Sequence, residues 1–258
     1  MNILLINGSP RPHGNTSEIL ELCKVLLDRT LKNTDISFHI ISLAKLDVKP
    51  CKGCRICFNH SEHKCPHKDD LLDIKRLMDE ADAIIIGSPV YVEDVSGLTK
   101  NLLDRMAFNC HRPFLLGKPI YLFTTSGAGA SKHALKTLRH AFLSWGGIIV
   151  GEHTFSMGPK MDYDLAYDRF SSVLTPKMNV MNKHMQASTP SVFSLIAFRI
   201  QQKYWRAQED KPSADYTYWF EKGWLDEDCH YYTKVHLSLY KRILSFLISQ
   251  LVSLILLK

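Results

Sequence analysis

Residues 2–17 read N-I-L-L-I-N-G-S-P-R-P-H-G-N-T-S, an apolar run that ends in a loop dense in turn-forming residues. The run at residues 2–6 has no polar alternation, which is typical of a parallel strand buried on both faces. A helical pattern with a broad apolar side follows at residues 19–27. Strand, loop and helix in this order predict the first unit of an α/β fold.

The same unit recurs along the chain. Apolar runs at residues 36–42, 83–87, 118–125 and 147–151 predict four more strands. Helical patterns lie between them at residues 70–80, 97–108 and 132–145. Strand and helix alternating five times predict a doubly wound, five-stranded parallel sheet with helices on both faces.

The remainder of the chain has a different character, which suggests two parts: an α/β domain over residues 1–155 and a mostly helical extension over residues 156–258. Residues 157–185 are polar and rich in Met, without a clean period. Residues 191–222 contain a predicted helix rich in Tyr and Trp, and residues 240–258 hold a strongly apolar run. We expect the extension to pack on the sheet domain or on a second subunit.

Composition narrows the class of protein. The chain has 258 residues, of which 45% are hydrophobic and 22% are charged, as in ordinary globular proteins. Its net charge of +6 comes from dispersed basic residues without a long Lys/Arg run, so we expect no nucleic-acid partner. Residues 1–7 show no basic leader or cleavage site, and we therefore expect a cytoplasmic location.

Three polar loops follow predicted strands, at residues 8–17, 87–91 and 124–131. Because the carboxyl ends of parallel strands meet at one edge, we expect these loops to lie close together. The first loop also opens a helix, where backbone N–H groups suit a phosphate. An ordinary helix cap at Asn15 or Thr16 is the alternative interpretation. The loop matches neither the dinucleotide fingerprint nor the nucleoside-triphosphate P-loop.

Four motifs in sequence order resemble the NAD(P)H-dependent FMN reductase family of flavodoxin-like proteins. They are N-G-S-P-R…G-N-T-S, G-S-P-V-Y, S-G-L-T-K-N-L-L-D-R at residues 96–105, and T-T-S-G-A-G-A-S. The resemblance implies a flavodoxin-like fold, non-covalent FMN, NAD(P)H as co-substrate and a homodimer. It implies an oxidoreductase that reduces a small-molecule electron acceptor such as a quinone or flavin.

The resemblance also implies site residues. For the FMN phosphate it gives Ser9, Arg11, Asn15, Thr16 and Ser17. For the flavin ring it gives Pro89, Val90 and Tyr91, with Ser126 and Gly127 beside the ring. No side chain is named as catalytic, because flavin N5 accepts the hydride in such enzymes. Residues 92–94, V-E-D, depart from the small or aromatic residues usual in the family, and their two carboxylates would repel an anionic substrate.

A second feature is a group of four cysteines, Cys51, Cys54, Cys57 and Cys65, with the spacing C-x2-C-x2-C-x7-C. Gaps of two residues let one loop wrap three thiolates around a single centre, and the fourth can come from the return of the loop. Three nearby histidines would equally suit zinc; they are His60, His63 and His67.

The cysteine spacing and its place after the second strand are similar to those of iron-sulfur flavoproteins, which are homodimers carrying a [4Fe–4S] cluster beside FMN. An iron-sulfur flavoprotein that transfers electrons between cluster and FMN is therefore the alternative function. A similar pattern, P-C-x-G-C-x-x-C…C…D-D at residues 50–70, also occurs in FMN reductase relatives without a cluster. A cluster, zinc and free thiols all stay open. A flavin-binding redox sensor or membrane-associated adaptor is a third interpretation.

The apolar run at residues 243–257 is fifteen residues long, whereas a bilayer span needs about 20. Ser245, Ser249 and Ser253 fall four apart and form one narrow face of a helix. One interpretation is a helix packed on the body or in a dimer interface. The other is contact with a membrane surface, helped by Lys241 and Arg242.

Overall fold

The computed structural model describes residues 1–31, 35–127, 129, 132–158, 161–186, 189–210, 213–234 and 237–256. Its centre is a parallel sheet with the strand order β2-β1-β3-β5-β6. This order confirms the doubly wound α/β fold, but the sheet in the described residues is not limited to the five strands expected. The sheet also includes a short sixth strand, β4, which pairs antiparallel with β3. The strands are β1 (Asn2–Asn7), β2 (Ser37–Ser42), β3 (Ala83–Tyr91), β4 (Asp94–Val95), β5 (Pro119–Ser126) and β6 (Ile148–Ser156).

Helices cover both faces of this sheet because successive apolar strand residues point to opposite sides. Leu4 and Ile6 of β1 belong to one buried cluster, whereas Ile3 and Leu5 belong to another. The first cluster lies under α3, α4 and α5, and the second lies under α1 and α6. The helices up to this point are α1 (Asn15–Thr30), α2 (Ile56–Asn59), α3 (Leu71–Glu80), α4 (Gly97–Arg105), α5 (Lys132–Ser144) and α6 (Tyr163–Gln186).

Two strands are longer than the sequence analysis predicts. Residues 87–91 were expected as a loop, but β3 continues through them because Gly87 to Pro89 pair with β5. Val90 then pairs with Val95 of β4. Likewise, β6 extends from the predicted residues 147–151 to Ser156, which pairs with Ser126. Parallel pairing with β5 therefore carries polar residues into both strands.

The extension is mainly helical, as expected, but its elements differ from the prediction. Residues 157–185 show no clean period in the sequence, yet most of them form α6, which packs on α1. Residues 191–222 form two helices, α7 (Val192–Arg206) and α8 (Ala214–Glu221), rather than one. The apolar tail forms α9 (Leu239–Leu256); Leu257, the end of the predicted run, lies outside the described residues. The division of the chain at residue 155 stays a prediction.

A third buried cluster, formed by α7, α8 and the segment after α8, holds the extension together. Its large aromatic side chains include Phe198, Trp219 and Trp224. None of the helices in the described part of the chain is both long and apolar enough to cross a bilayer.

Candidate functional site

A cavity of about 280 Å³ lies at the carboxyl edge of the sheet, between the loop that follows β1 and the carboxyl ends of β3 and β5. We call it the rim cavity. Nine of the ten residues predicted to bind FMN line it, namely Ser9, Arg11, Asn15, Thr16, Pro89, Val90, Tyr91, Ser126 and Gly127. Sequence positions more than 100 residues apart thus meet at one place. The convergence follows from parallel strands ending at a common edge.

The tenth residue, Ser17, lies in the first turn of α1 and does not line the cavity. Its Oγ donates to the carbonyl oxygen of Gly14 at 2.7 Å and accepts from the Gly14 N–H at 2.9 Å. The hydroxyl therefore closes the start of α1. The structure gives Ser17 a local structural contact rather than a place in the cavity wall.

Hydrogen bonds between loops hold the rim in place. The Gly8 N–H donates to the Gly87 carbonyl oxygen at 2.8 Å, which joins the first loop to β3. The hydroxyl groups of Thr16 and Thr125 lie 2.8 Å apart and are buried. Asn15 Oδ1 accepts from the Met161 N–H at 2.9 Å and so connects α1 to the segment after β6.

Four further residues line the cavity without having been assigned to it from the sequence: His13, Gly14, Thr125 and Gly158. Gly14 and Thr125 fall inside the quoted motifs, so the predicted site residues next to them in sequence could have identified them as cavity residues. Gly158 follows β6, and no local sequence pattern marks it as a cavity residue. Of the third loop, Ala128, Ala130 and Ser131 lie outside the described residues.

The segment that departs from the family pattern forms a tight hairpin. Val92 and Glu93 are its two central residues, with φ values of 49° and 67°. Positive φ at both positions is usual in hairpin loops of this length, where Gly and Asn are preferred. Neither Glu93 nor Asp94 lines the rim cavity. Asp94 instead accepts from the Val95 N–H at 2.7 Å.

The N-terminus of α4 makes hydrogen bonds to the segments that form the rim cavity. Thr99 Oγ1 donates to the Gly8 carbonyl oxygen at 3.2 Å, and Ser96 Oγ donates to the same oxygen. The Ser96 N–H donates to Ser88 Oγ at 3.0 Å. These side chains are buried, so the first turn of α4 joins the loops of β1 and β3. This contact gives a physical reason for the motif at residues 96–105.

The C-terminus of α4 holds the cysteine loop, which we define as residues 47–70. Arg105 pairs with Asp69 at 2.6 Å, and its side chain also donates to the Lys49 carbonyl oxygen at 2.6 Å. Arg105 Nη2 lies 3.7 Å from Cys65 Sγ. Burial opposes ionisation of Asp69, but hydrogen bonds and the charge of Arg105 outweigh it and hold the pKa of Asp69 below its usual value.

All four cysteines line one small cavity of about 30 Å³ inside this loop. Cys51 and Cys54 are exposed, whereas Cys57 and Cys65 are half-buried. Burial and the neighbouring thiols of Cys51 and Cys65 raise the pKa of Cys57. A raised pKa keeps the thiol protonated, which lowers its reactivity as a nucleophile.

The four thiols of the cysteine loop form the candidate donor set of a metal centre. Four sulfur donors from one loop match the chemistry of an iron-sulfur cluster. In the part of the chain that the structure describes, however, no three Cys, His, Asp or Glu side chains are grouped closely enough to hold a metal ion. The loop thus brings the right donors to one cavity without arranging them as a metal-binding group.

Known proteins are similar in sequence to the first 162 residues of the chain. Residues 1–162 match the family described as NADPH-dependent FMN reductase. An iron-sulfur flavoprotein of Archaeoglobus fulgidus is 32% identical over 154 residues, 58% of this chain and 66% of that protein. An iron-sulfur flavoprotein of Methanocaldococcus jannaschii is 34% identical over 160 residues, 59% of this chain and 77% of that protein. An NADH-dependent FMN reductase of Pseudomonas putida is 27% identical over 135 residues, 52% of this chain and 64% of that protein.

Solved structures share the fold. An oxidoreductase from Corynebacterium diphtheriae has a TM-score of 0.53 at 15% identity, covering 73% of this chain and 98% of its own. RosB with the bound intermediate 8-demethyl-8-formylriboflavin-5′-phosphate has a TM-score of 0.52 at 13% identity, covering 93% of this chain and 92% of its own. The match over residues 1–162 includes every strand and every residue lining the rim cavity. The chain belongs to the NADPH-dependent FMN reductase family of FMN-dependent oxidoreductases.

Proposed function

We propose that the chain binds FMN in the rim cavity and transfers reducing equivalents from NAD(P)H to a small acceptor such as a quinone or flavin. One observation carries the proposal: three loops from distant parts of the sequence bring nine predicted FMN-binding residues to a single cavity. The match to the FMN reductase family supports the same conclusion.

The cavity fits FMN chemically. Its first loop lies at the start of α1, where unpaired backbone N–H groups favour an anion, and Arg11 adds a positive charge. Ser126 Oγ is buried and has no hydrogen-bond partner among the described residues. A buried hydroxyl without a partner is costly, so a polar ligand atom would satisfy it. The volume is near the lower end for ligand pockets, about 300 Å³, which suits a cofactor with one exposed edge.

Each loop has a distinct task in this proposal. Arg11, Asn15 and Thr16 hold the phosphate, while the buried Ser9 shapes the loop by accepting from the Arg11 N–H at 3.1 Å. Pro89 and Val90 lie against the ring, and the half-exposed Tyr91 borders the entrance. When bound, FMN supplies hydride chemistry, and the protein contributes binding and orientation.

The test uses the purified full chain. We expect a flavin absorbance spectrum that is bleached anaerobically by NADH or NADPH and restored by a quinone. Arg11→Gln should weaken FMN binding about tenfold, as expected for one charged hydrogen bond, while leaving riboflavin binding unchanged. Lys100→Gln is the matched control, since Lys100 is an exposed cation that does not line the rim cavity. Colourless protein that fails to bind added FMN would overturn the proposal.

We also propose that the chain forms a homodimer through the rim. In support, Val92 is 99% exposed at the tip of the β3–β4 hairpin, directly beside Tyr91. An apolar side chain held outward next to the cavity entrance suits a subunit contact. Sedimentation equilibrium should give twice the monomer mass, and Val92→Asp should shift the protein toward monomer. A monomeric wild-type protein at high concentration would contradict this.

The second candidate is an iron-sulfur flavoprotein, in which Cys51, Cys54, Cys57 and Cys65 hold a cluster. It is supported by the meeting of all four thiols at one cavity and by the names of the two relatives above. Iron and acid-labile sulfide analysis of anaerobically purified protein tests it. About four irons per chain, lost in Cys54→Ser, would support a [4Fe–4S] cluster. Absence of iron after anaerobic reconstitution would remove this candidate.

A further inference from the structure

The last helix, α9, packs with its serine side inward. Ser245 and Ser249 are 0% and 5% exposed and face α7, the main partner of α9. On the opposite side Ile243, Leu247 and Leu251 are 51%, 55% and 65% exposed. A globular protein ordinarily buries the apolar side of a helix. The apolar face of α9 is therefore exposed and can contact an apolar surface or medium outside the protein.

The buried serines explain how this orientation is stable. Ser245 Oγ donates to the Arg242 carbonyl oxygen at 3.1 Å, and Ser249 Oγ donates to the Phe246 carbonyl oxygen at 2.8 Å. Both hydroxyl groups are thus satisfied within the helix, so their burial leaves no unpaired donor. Small side chains also permit close approach of two helices. The serine face consequently serves packing on α7 and leaves the apolar face outward.

A cavity of about 720 Å³ lies beside this face, between α7, α9 and the segment around residue 230. Arg199, Lys203, Arg206 and Arg242 line it, together with a single carboxylate among the described lining residues, Glu227. We call it the basic cavity. Its wall also includes neutral polar side chains and three large apolar side chains of α9, Leu239, Ile243 and Phe246. Cationic groups therefore border the exposed apolar face.

Burial and neighbouring cations act on two groups of the basic cavity, Arg199 and His230. Arg199 Nε is buried without a hydrogen-bond partner among the described residues. Burial and the charge of Arg242 lower the pKa of Arg199. Burial and the charges of Arg242 and Arg199 also lower the pKa of His230, whose neutral Nε2 can accept from Arg242 at 3.0 Å. An anion in this cavity would relieve the repulsion between the two guanidinium groups.

We propose that α9 docks the protein on an anionic membrane surface, with its exposed apolar face in the acyl-chain layer and a lipid phosphate in the basic cavity. Charge complementarity and the adjoining apolar face both favour a bilayer over a free anion. In this proposal α9 lies along the membrane surface, as amphipathic interfacial helices do. The proposal does not depend on the proposed redox function.

Vesicle binding of the full chain tests the proposal. We expect co-sedimentation with vesicles that contain phosphatidylglycerol, weak binding to vesicles of phosphatidylcholine alone, and release at high salt. Arg199→Gln combined with Arg242→Gln should weaken binding to the anionic vesicles about twentyfold. Arg76→Gln combined with Lys100→Gln removes the same charge from the sheet domain and should have little effect.

The apolar face is tested separately. Ile243→Ser combined with Leu247→Ser should weaken vesicle binding at least tenfold. The control is Leu165→Ser, which changes a comparably exposed apolar side chain on α6. Circular dichroism spectra and thermal unfolding should match wild type in every variant, so lost binding cannot be attributed to unfolding.

Three outcomes would overturn the proposal. One is equal binding by wild type and both test variants. Another is a dimer that dissociates in the Ile243→Ser/Leu247→Ser variant without vesicle binding in the wild type, which would assign the face to a second copy. The last is calorimetric binding of inorganic phosphate that matches vesicle affinity, which would make the basic cavity a site for free anions.

Discussion

One helix, α4, supports two regions that are built in different ways. Its N-terminus holds the rim cavity, and its C-terminus, about 13 Å away along the helix axis, holds the cysteine loop. At the rim, neutral groups and backbone atoms make the contacts, as in the bond from Gly8 to Gly87. At the cysteine loop, buried charges make them, chiefly Arg105 with Asp69.

The difference affects how each region responds to change. The described rim residues of β3 and β5 belong to a sheet whose register fixes their positions. The cysteine loop packs little apolar surface and depends on two guanidinium groups. The second is Arg112, which pairs with Glu62 at 2.9 Å and donates to the Cys57 carbonyl oxygen. Removing one of these two guanidinium charges should therefore destabilise the cysteine loop and leave the rim cavity unchanged.

The largest expected effect comes from Arg105→Gln. This change leaves Asp69 buried without its partner, and such a loss typically lowers the free energy of unfolding by about 3–5 kcal/mol. Urea unfolding measures the loss, and thiol labelling should show faster reaction of Cys57 and Cys65. The FMN affinity of the folded protein should stay within about twofold of wild type. A loss of FMN-binding free energy as large as the loss of unfolding free energy would show that the rim cavity and the cysteine loop are not separable.

Lys100→Gln on the same helix is the control for this experiment. Lys100 pairs with Asp104, but both side chains are about half exposed. An exposed pair contributes less than about 1 kcal/mol, so its loss should be small. A loss as large as that of Arg105→Gln would indicate a general effect on α4 rather than the buried charge.

Gly8→Ala addresses the rim and has the next largest effect. A Cβ at Gly8 would lie 2.1 Å from Thr99 Oγ1 and 2.9 Å from the Gly87 carbonyl oxygen. Overpacking of this kind costs about 1–3 kcal/mol, and here it would also displace the first loop. We expect weaker FMN binding, measured by fluorescence titration, with unchanged thiol labelling. Gly97→Ala, where a Cβ meets nothing within 4 Å, should leave both unchanged.

A smaller effect of opposite sign is expected at the hairpin. Val92 is β-branched, fully exposed and held at a φ of 49°. Asn tolerates this conformation, so Val92→Asn should raise the free energy of unfolding of the monomer by about 0.5–1 kcal/mol. Val92→Ala should raise the free energy of unfolding less, because Ala keeps a Cβ and has no preference for positive φ. Destabilisation by Asn would mean that the apolar side chain itself is needed.

The smallest effect concerns acid stability of the cysteine loop. Asp69 has a pKa below its usual value of 3.8 in the folded protein. A lowered folded pKa contributes stability that is present above 3.8 and lost as the pH falls through the folded value. We therefore expect the Tm of the wild type to fall more steeply than that of Asp69→Asn as the pH is lowered from neutral through the folded pKa of Asp69. Parallel curves would contradict the pairing.

Much of the candidate site was predictable because its signals are local. Each rim loop follows an apolar run and contains small polar residues, and parallel topology then requires the loops to meet. The roles of Ser96 and Thr99 were not assigned in advance, although their motif was noted. Their partner, the Gly8 carbonyl oxygen, is about 90 residues away in sequence, and no periodicity encodes such a contact.

The helix α6 shows a different limit. Ala166, Phe170, Leu174 and Met178 are buried at a spacing of four and face α1. The spacing is visible in the sequence, but Pro176 and the many polar neighbours obscure it. Packing on α1 stabilises the helix despite the proline, whose effect on isolated helices is unfavourable.

The amino-acid sequence by itself determined the strand–loop–helix order, the converging rim loops and the serine stripe of α9, because these are local patterns. The tertiary structure decided which face of α9 is buried and that one helix supports both the rim and the cysteine loop. The physical reason is that a pattern states which residues share a face, whereas burial depends on what packs against that face. For α9 the serines face inward, and the apolar side is left for a partner.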